Sequence, residues 1–407
     1  GVFFKGNRVT IFRDFYGKKP LYISRENGLT LFSSEVIPLM ILRSKIGLTN
    51  TLSSASMSSY LLGGSVHGFN TLIEEIDEFN SNTRTSFDVA SSEVLDSQNI
   101  FLKTEATDSL PEAEFSDIFS KAVEERSFAD HPMAHMFSGG IDSLAVACAL
   151  QNKKSDITLF TLASEHNRDE VSVSIAAAKK LKMKQLVVDA PIYNSQDIFN
   201  SLAKLDHPSA DSSFINIMGI MDEISKDFRV CLSGDGGDEL LGGYAHYNWM
   251  RKRFLNLDPT LLLKLENILQ VFPKQKLTTT LLSALSNSHA AKQFYSRIIS
   301  SRQAKSMYLT FDTDARVKRD AFYDSFMSKP IGNIIQQVTQ ADMQTSLREL
   351  ILHKVDRGSM LRSVEVRSPL LDSRLFQWRG EMLKNNKWSE LDHKLPLKKI
   401  IAETIGT

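Results

Sequence analysis

The chain has 407 residues, of which 42% are hydrophobic and 24% charged, and its 48 basic residues equal its 48 acidic ones in number. This length and composition are typical of a globular protein with two or more domains. The balanced charge disfavours a nucleic-acid partner, and the lack of any run of 18 apolar residues predicts no membrane partner. The two cysteines lie in apolar segments, which predicts buried thiols, no cysteine metal site and a cytoplasmic location.

Residues 1–90 are predicted to be rich in β-strands. The dipeptide Asn27-Gly28 between two apolar runs is a strong signal for a hairpin. Polar residues without periodicity make 91–110 a predicted linker. The predicted strands are 8–14, 21–24, 29–33, 71–76 and 84–89, and the predicted helices are 35–42 and 53–62.

From residue 111 onward, apolar strands alternate with helices of ten or more residues. This alternation predicts an α/β fold with a parallel sheet covered on both faces. The predicted strands are 133–137, 157–162, 185–188 and 229–232, and the predicted helices are 112–129, 169–181, 196–205 and 213–226. The remainder, from about residue 247, is predicted to be mostly helical.

A glycine loop with the sequence SGGIDS, residues 138–143, joins a strand to a helix that opens near Asp142. Gly139 and Gly140 permit positive φ and the close approach of a ligand to the backbone. Loop amides together with a helix N-terminus favour a bound phosphate. The loop is neither a Walker motif nor GxGxxG. An ordinary strand-turn-helix, with Ser and Asp as helix caps, is the alternative interpretation.

A second glycine loop, residues 231–239, repeats this pattern of strand, glycines and acidic helix start. Ligands of open parallel sheets lie beyond the carboxyl ends of the strands, so two such loops can enclose one ligand. Mg²⁺ takes one or two carboxylates together with phosphate oxygens, so Asp142 and Asp238 are predicted to bind it beside a pyrophosphate. A glycine-rich turn with solvated acids is the alternative.

A third cluster, residues 356–372, on its own resembles a surface helix with paired charges. The three clusters in this order resemble the synthetase domain of the glutamine-dependent asparagine synthetases, with Gly242-Gly243-Tyr244 following the second loop. Residues 13–22 and 32–35 are similar to the latter half of that family's glutaminase domain.

The resemblance implies three parts. Residues 1–90 are expected to be the C-terminal portion of an α+β amino-terminal-nucleophile glutaminase sandwich, and 91–110 a linker. Residues 111–407 are expected to form a doubly wound parallel-sheet ATP-pyrophosphatase domain with a helical C-terminal part, lacking its C-terminal end.

The resemblance also implies a reaction. A carboxylate, aspartate in the family, attacks ATP to give an acyl-adenylate and Mg-pyrophosphate, and ammonia from glutamine then gives the amide and AMP. Asp235 is expected to orient substrate or ammonia, and Asp142 and Asp238 to bind Mg²⁺. Expected adenine contacts are Phe137 and Leu162, and expected phosphate contacts are Ser138, Gly139, Gly140, Asp142, Ser143, Ser233 and Gly234.

Three departures from the family pattern bear on these expectations. The family's nucleophilic cysteine at residue one has no counterpart at Gly1, so either the sequence is a fragment, which we favour because the first strands lack a partner sheet, or glutaminase activity is absent. The family's catalytic lysine is expected beyond Thr407, and Lys398 and Lys399 are not assigned its role. Residues 206–213 lack the arginine that helps hold aspartate.

Alternatives therefore stay open. The same adenylating chemistry could serve another carboxylate, in amidation of a sugar acid or closure of a lactam, or the chain could be a non-catalytic nucleotide-binding homologue. The intact acids of the two loops argue against the last alternative. The expected partners are small molecules, with a homodimer left open.

Overall fold

The computed structural model describes residues 1–66, 68–100, 115–151, 156–244, 247, 334–384 and 394–406. The chain divides into two compact units. One comprises Gly1–Lys103, Asp206–Ala210 and Tyr244–Leu350, and the other comprises Thr104–Leu205, Asp211–Gly243 and Ile351–Thr407. No helix among the described residues is long and apolar enough to cross a membrane. Most of the predicted helical C-terminal part, residues 248–333, lies outside the described residues.

The first unit contains two antiparallel sheets, in the orders β1-β2-β6-β7 and β4-β3-β5. Their strands are β1 (Val2–Lys5), β2 (Arg8–Arg13), β3 (Tyr22–Glu26), β4 (Leu29–Ser33), β5 (Asp77–Glu78), β6 (Thr83–Asp88) and β7 (Val94–Asn99). Alternate side chains of both sheets form one apolar cluster that includes Val9, Ile11, Leu21 and Phe87. The helices here are α1 (Val36–Lys45), α2 (Ser54–Gly63) and, later, α9 (Ile334–Gln344).

The predicted hairpin between β3 and β4 is confirmed, with both Asn27 and Gly28 at positive φ. The strand predicted over 71–76 is wrong. The hydroxyl of Thr71 binds the carbonyls of Ile73 and Ile76 and closes a turn, which competes with a strand ladder. Strand β7 lies within the predicted linker. It is a largely exposed edge strand, so its sequence shows no apolar alternation.

The second unit is built on a five-stranded parallel sheet of order β10-β9-β8-β11-β12. Its strands are β8 (Met133–Met136), β9 (Ile157–Ala163), β10 (Gln185–Asp189), β11 (Val230–Leu232) and β12 (Glu365–Arg367). Its helices are α3 (Phe115–Arg126), α4 (Ile141–Leu150), α5 (Arg168–Leu181), α6 (Ser195–Leu202), α7 (Phe214–Asp227), α8 (Gly237–Leu241), α10 (His353–Met360), α11 (Ser373–Lys384) and α12 (Leu395–Ile405). A π-helical turn (Leu347–Leu352) precedes α10, and a 3-10 turn (Pro369–Leu371) follows β12.

The expected α/β fold with a parallel sheet is confirmed for this unit. Helices α7 and α10 pack on one face through Ile220, Met221 and Val355, against Phe160 of β9. Helix α4 reaches the opposite face, where the His135 ring contacts it. Both cysteines are buried free thiols, as expected.

The strand order reverses between β8 and β11. The chain moves outward from β8 through β9 to β10, and then returns to place β11 on the other side of β8. Loops at such a reversal diverge to opposite faces and leave a crevice at the carboxyl ends of the two strands. The two glycine loops follow these same two strands, so the topology brings them to this crevice.

Candidate functional site

The first glycine loop requires glycine at Gly139 for two reasons. Its φ is +78°, and a Cβ there would lie 3.0 Å from the backbone of Ser174 on α5. Ser138 Oγ accepts a hydrogen bond from the Gly140 amide at 3.2 Å. Gly140 is the N-cap of α4, and no described side chain caps this helix start. The interpretation of Ser and Asp as helix caps is therefore wrong, and the first amides of α4 remain available to an anion.

The second loop is supported by the third sequence cluster. Ser233 Oγ donates to Asp235 Oδ2 at 2.7 Å and lies 2.8 Å from Ser368 Oγ. Gly236 has φ +92°, and a Cβ there would lie 2.3 Å from the Leu371 side chain. The interpretation of residues 356–372 as only a surface helix is wrong, because this segment supplies strand β12 and contacts that hold the second loop in place.

The two loops touch each other. A Cβ at Gly234 would lie 2.8 Å from the Ser143 amide nitrogen and 2.9 Å from Asp142 Cβ. A Cβ at Gly237 would lie 2.4 Å from Asp142 Oδ1. Glycine is needed at both positions so that the second loop can approach the first. The structure thus brings residues 138–143 and 233–238 into direct contact.

Lys394 lies between the two aspartates predicted to bind metal. Its Nζ is 2.6 Å from Asp142 Oδ2 and 2.7 Å from Asp238 Oδ1, and its side chain is only 10% exposed. Gly243 makes room for it, because a Cβ there would lie 1.9 Å from Lys394 Cε. No sequence motif indicated a role for Lys394. A lysine at a helix N-terminus is disfavoured by the helix dipole, and that is the one signal the sequence offered.

The three charged groups shift one another's pKa values. Burial and the nearby Asp238 raise the pKa of Asp142 to about 6, although the Lys394 ammonium opposes the rise. Burial alone would lower the pKa of Lys394, but the two carboxylates outweigh it and raise that pKa. Both pKa values are raised because two acids share one cation. The cluster therefore carries an excess of negative charge, which favours the protonated form of each group.

Lys394 already pairs with both aspartates, and the cluster leaves one carboxylate oxygen for a divalent cation that a ligand would also bind. Asp142 Oδ1 is buried and has no hydrogen-bond partner among the described residues. An orphaned carboxylate oxygen beside a second carboxylate suits Mg²⁺, which takes one or two carboxylates and fills its remaining positions with phosphate oxygens and water. Within the described ranges, no group of three or more His, Cys, Asp or Glu could hold a metal ion. Phosphate oxygens would therefore have to complete the coordination.

The residues predicted to contact adenine lie at the ends of adjacent strands. Phe137 is 1% exposed, and its amide and carbonyl are engaged by Phe160 and by the Thr161 hydroxyl. Leu162 is partly exposed near the end of β9. Both adenine contacts stay predictions. The Thr161 hydroxyl also accepts from Gln185 Nε2 at 2.8 Å, a support for the first loop that the sequence analysis missed.

A doubly wound sheet whose two glycine loops meet at the point of strand reversal is the arrangement in which α/β proteins commonly bind anionic ligands at the carboxyl ends of their strands. The chain belongs to the asparagine synthase family, whose model matches residues 114–405.

Two relatives illustrate the likeness. The chain is 25% identical to the putative asparagine synthetase (glutamine-hydrolyzing) of Mycobacterium tuberculosis strain H37Rv, over 97% of this chain and 62% of that protein. It is also 25% identical to asparagine synthetase (glutamine-hydrolyzing) 1 of Bacillus subtilis, over 89% of this chain and 58% of that protein. The chain thus spans less than two thirds of either relative. A solved NMN synthetase from Francisella tularensis matches with 13% identity and a TM-score of 0.24, over 32% of this chain and 59% of that chain.

Proposed function

We propose that this protein catalyses ATP-dependent amide synthesis through adenylation of a carboxylate. The observation that carries the proposal is the meeting of the two glycine loops around one pair of carboxylates, Asp142 and Asp238. Membership of the asparagine synthase family supports the same chemistry. An acceptor carboxylate oxygen bonds to the α-phosphorus of ATP while the bond to the pyrophosphate breaks. Ammonia then attacks the acyl carbon, AMP leaves, and the nitrogen loses its proton.

In this proposal the loops bind the triphosphate. The uncapped amides of α4 and the hydroxyls of Ser138, Ser143 and Ser233 bind phosphate oxygens. Asp142 and Asp238 bind Mg²⁺, which neutralises charge on the departing pyrophosphate when it is bound. Lys394 provides a further positive charge at the same place, and preorganised charges of this kind stabilise a transition state.

We propose aspartate as acceptor and Asp235 as the residue that orients acceptor or ammonia, with ammonia derived from glutamine in the whole protein. Both relatives are named as glutamine-hydrolyzing asparagine synthetases, which supports this assignment. One observation favours a second candidate, another carboxylate. The segment expected to hold aspartate has no arginine, and its Asp211 accepts instead from Lys354 Nζ at 2.8 Å.

The test supplies ammonia directly, so that it does not depend on glutaminase activity. The full chain is incubated with ATP, Mg²⁺, ammonium and a panel of carboxylic acids, and AMP, ADP and pyrophosphate are measured. We expect AMP and pyrophosphate, with the acceptor identified by the acid that stimulates their release. Release of ADP would refute adenylation.

Two variants distinguish loss of the cation site from a general effect of removing an aspartate. Asp142→Asn should reduce pyrophosphate release at least 100-fold, because it removes a carboxylate from the cation site. Asp169→Asn changes an exposed aspartate in the first turn of α5, and it should leave the rate unchanged.

A further inference from the structure

The ring of His135 contacts the backbone of both glycine-loop segments. His135 lies in the central strand β8 and is 0% exposed. Its Nε2 is 2.9 Å from the carbonyl oxygen of Ser143, in the first loop. Its Nδ1 is 3.0 Å from the carbonyl oxygen of Leu232, the residue before the second loop. A titratable ring thus occupies a buried position in a strand whose neighbours are mostly apolar.

The neutral and the protonated forms of the ring satisfy these two contacts differently. A neutral imidazole has one N–H donor and one nitrogen lone pair, whereas the imidazolium has two donors. Both partners of His135 are carbonyl oxygens, which can only accept. The neutral ring can therefore satisfy one loop and must present a lone pair to the other, and only the protonated ring donates to both.

Burial opposes that protonation. Burial lowers the pKa of His135, and the two carbonyl contacts only partly compensate. The titratable groups on the elements packed around it are Cys231 on β11, Asp142 and Cys148 on α4, and Asp235, Asp238 and Glu239 in the second loop, with Lys394 paired to Asp142, whereas β9 carries none. In the free protein we therefore expect the ring to be neutral at pH 7.

A polyphosphate in the crevice would change this balance. It adds several negative charges to the far side of the same loops. A nearby opposite charge raises the pKa of a basic group. The bound anion and the two carbonyls then favour the same, protonated state.

We infer that binding of a polyphosphate at the two loops is coupled to uptake of a proton by His135, and that the imidazolium holds the loops at a fixed separation. His135 is a positioning residue, since it acts through the backbone of Ser143 and Leu232. This inference rests on the proposed function, which places the triphosphate between the loops.

The direct test observes the ring itself. The full chain is labelled with ¹³C at histidine Cε1, the His135 signal is assigned from its loss in His135→Gln, and spectra at pH 7 are compared with and without saturating Mg-pyrophosphate. We expect the His135 signal to move from its neutral to its imidazolium position. A ring that stays neutral while pyrophosphate binds would overturn the inference and leave the proposed function standing.

A second measurement uses calorimetric titration of Mg-pyrophosphate in two buffers of different ionisation enthalpy. The wild type should take up about 0.5–1 proton more per ligand than His135→Gln, and its affinity should fall up to tenfold more between pH 6 and 8. His131→Gln, an exposed histidine just before β8, should behave as the wild type. Equal proton uptake in all three proteins would contradict the inference, and absence of binding to the wild type would remove the proposed site as well.

Discussion

Replacing Lys394 by methionine removes the cation between Asp142 and Asp238 and keeps a side chain of similar length. Each carboxylate lies within 2.7 Å of Nζ, so the two oxygens are at most about 5 Å apart. At that distance and an effective dielectric constant of about 20, two unit negative charges repel by roughly 3 kcal/mol. We expect this repulsion to destabilise the folded variant wherever both acids are ionised.

The sign of the pH dependence follows from Asp142. Its pKa is already raised to about 6 in the wild type, so the folded state binds more protons than the unfolded state between about pH 4 and 6, and stability falls as pH rises through this window. Without the lysine that pKa rises further. The variant should therefore lose little stability at pH 5, where Asp142 is protonated, and about 3 kcal/mol at pH 8.

The assay is thermal unfolding at pH 5 and pH 8, with and without 10 mM Mg²⁺. A loss of 3 kcal/mol corresponds to roughly 6–12 °C for a unit of this size. We expect Mg²⁺ to restore part of the loss at pH 8. Lys398→Met, an exposed lysine on the same helix α12, is the control and should lose almost nothing. Equal losses at both pH values, or an equal loss in the control, would refute the reasoning.

Two further predictions concern packing and charge in the same unit. Gly234→Ala places a Cβ 2.8 Å from a backbone nitrogen of the first loop, so we expect Mg-ATP to bind at least tenfold more weakly by calorimetry, whereas Gly380→Ala, which meets no atom within 4 Å, should bind normally. Burial opposes ionisation of Asp372, but hydrogen bonds from Arg374 outweigh it and lower the pKa of Asp372 to about 2. The ionised Asp372 therefore stabilises the folded state by about 2 kcal/mol above its unfolded pKa of 3.8, and this contribution is lost as pH falls towards 2. In urea unfolding, the free energy of unfolding of Asp372→Asn should therefore fall less steeply with decreasing pH in this range than that of the wild type.

The sequence was most informative where a local motif determines local geometry. The glycine loops follow short apolar strands, and Gly139 and Gly236 both adopt the positive φ that makes glycine necessary. The alternation of strands and helices likewise predicted the parallel sheet, because a parallel pair needs a crossover connection.

Features that depend on distant parts of the chain were missed. Lys394 is 252 residues from Asp142, and nothing around either residue indicates that they pair. Strand β7 was taken for linker because an exposed edge strand has no buried face to impose an apolar pattern. The strand predicted over 71–76 failed because a single hydroxyl, that of Thr71, redirects the backbone.

The late position of β12 along the chain has a consequence for biosynthesis. Both glycine loops are complete once the ribosome has translated residue 239, but Ser368, Leu371 and Lys394 are added more than a hundred residues later. Between translation of residue 239 and of residue 394, a nascent chain therefore has two loops without their supporting contacts and two carboxylates without their counter-ion. This unit should thus become resistant to proteases abruptly, once Lys394 has left the ribosome, rather than gradually.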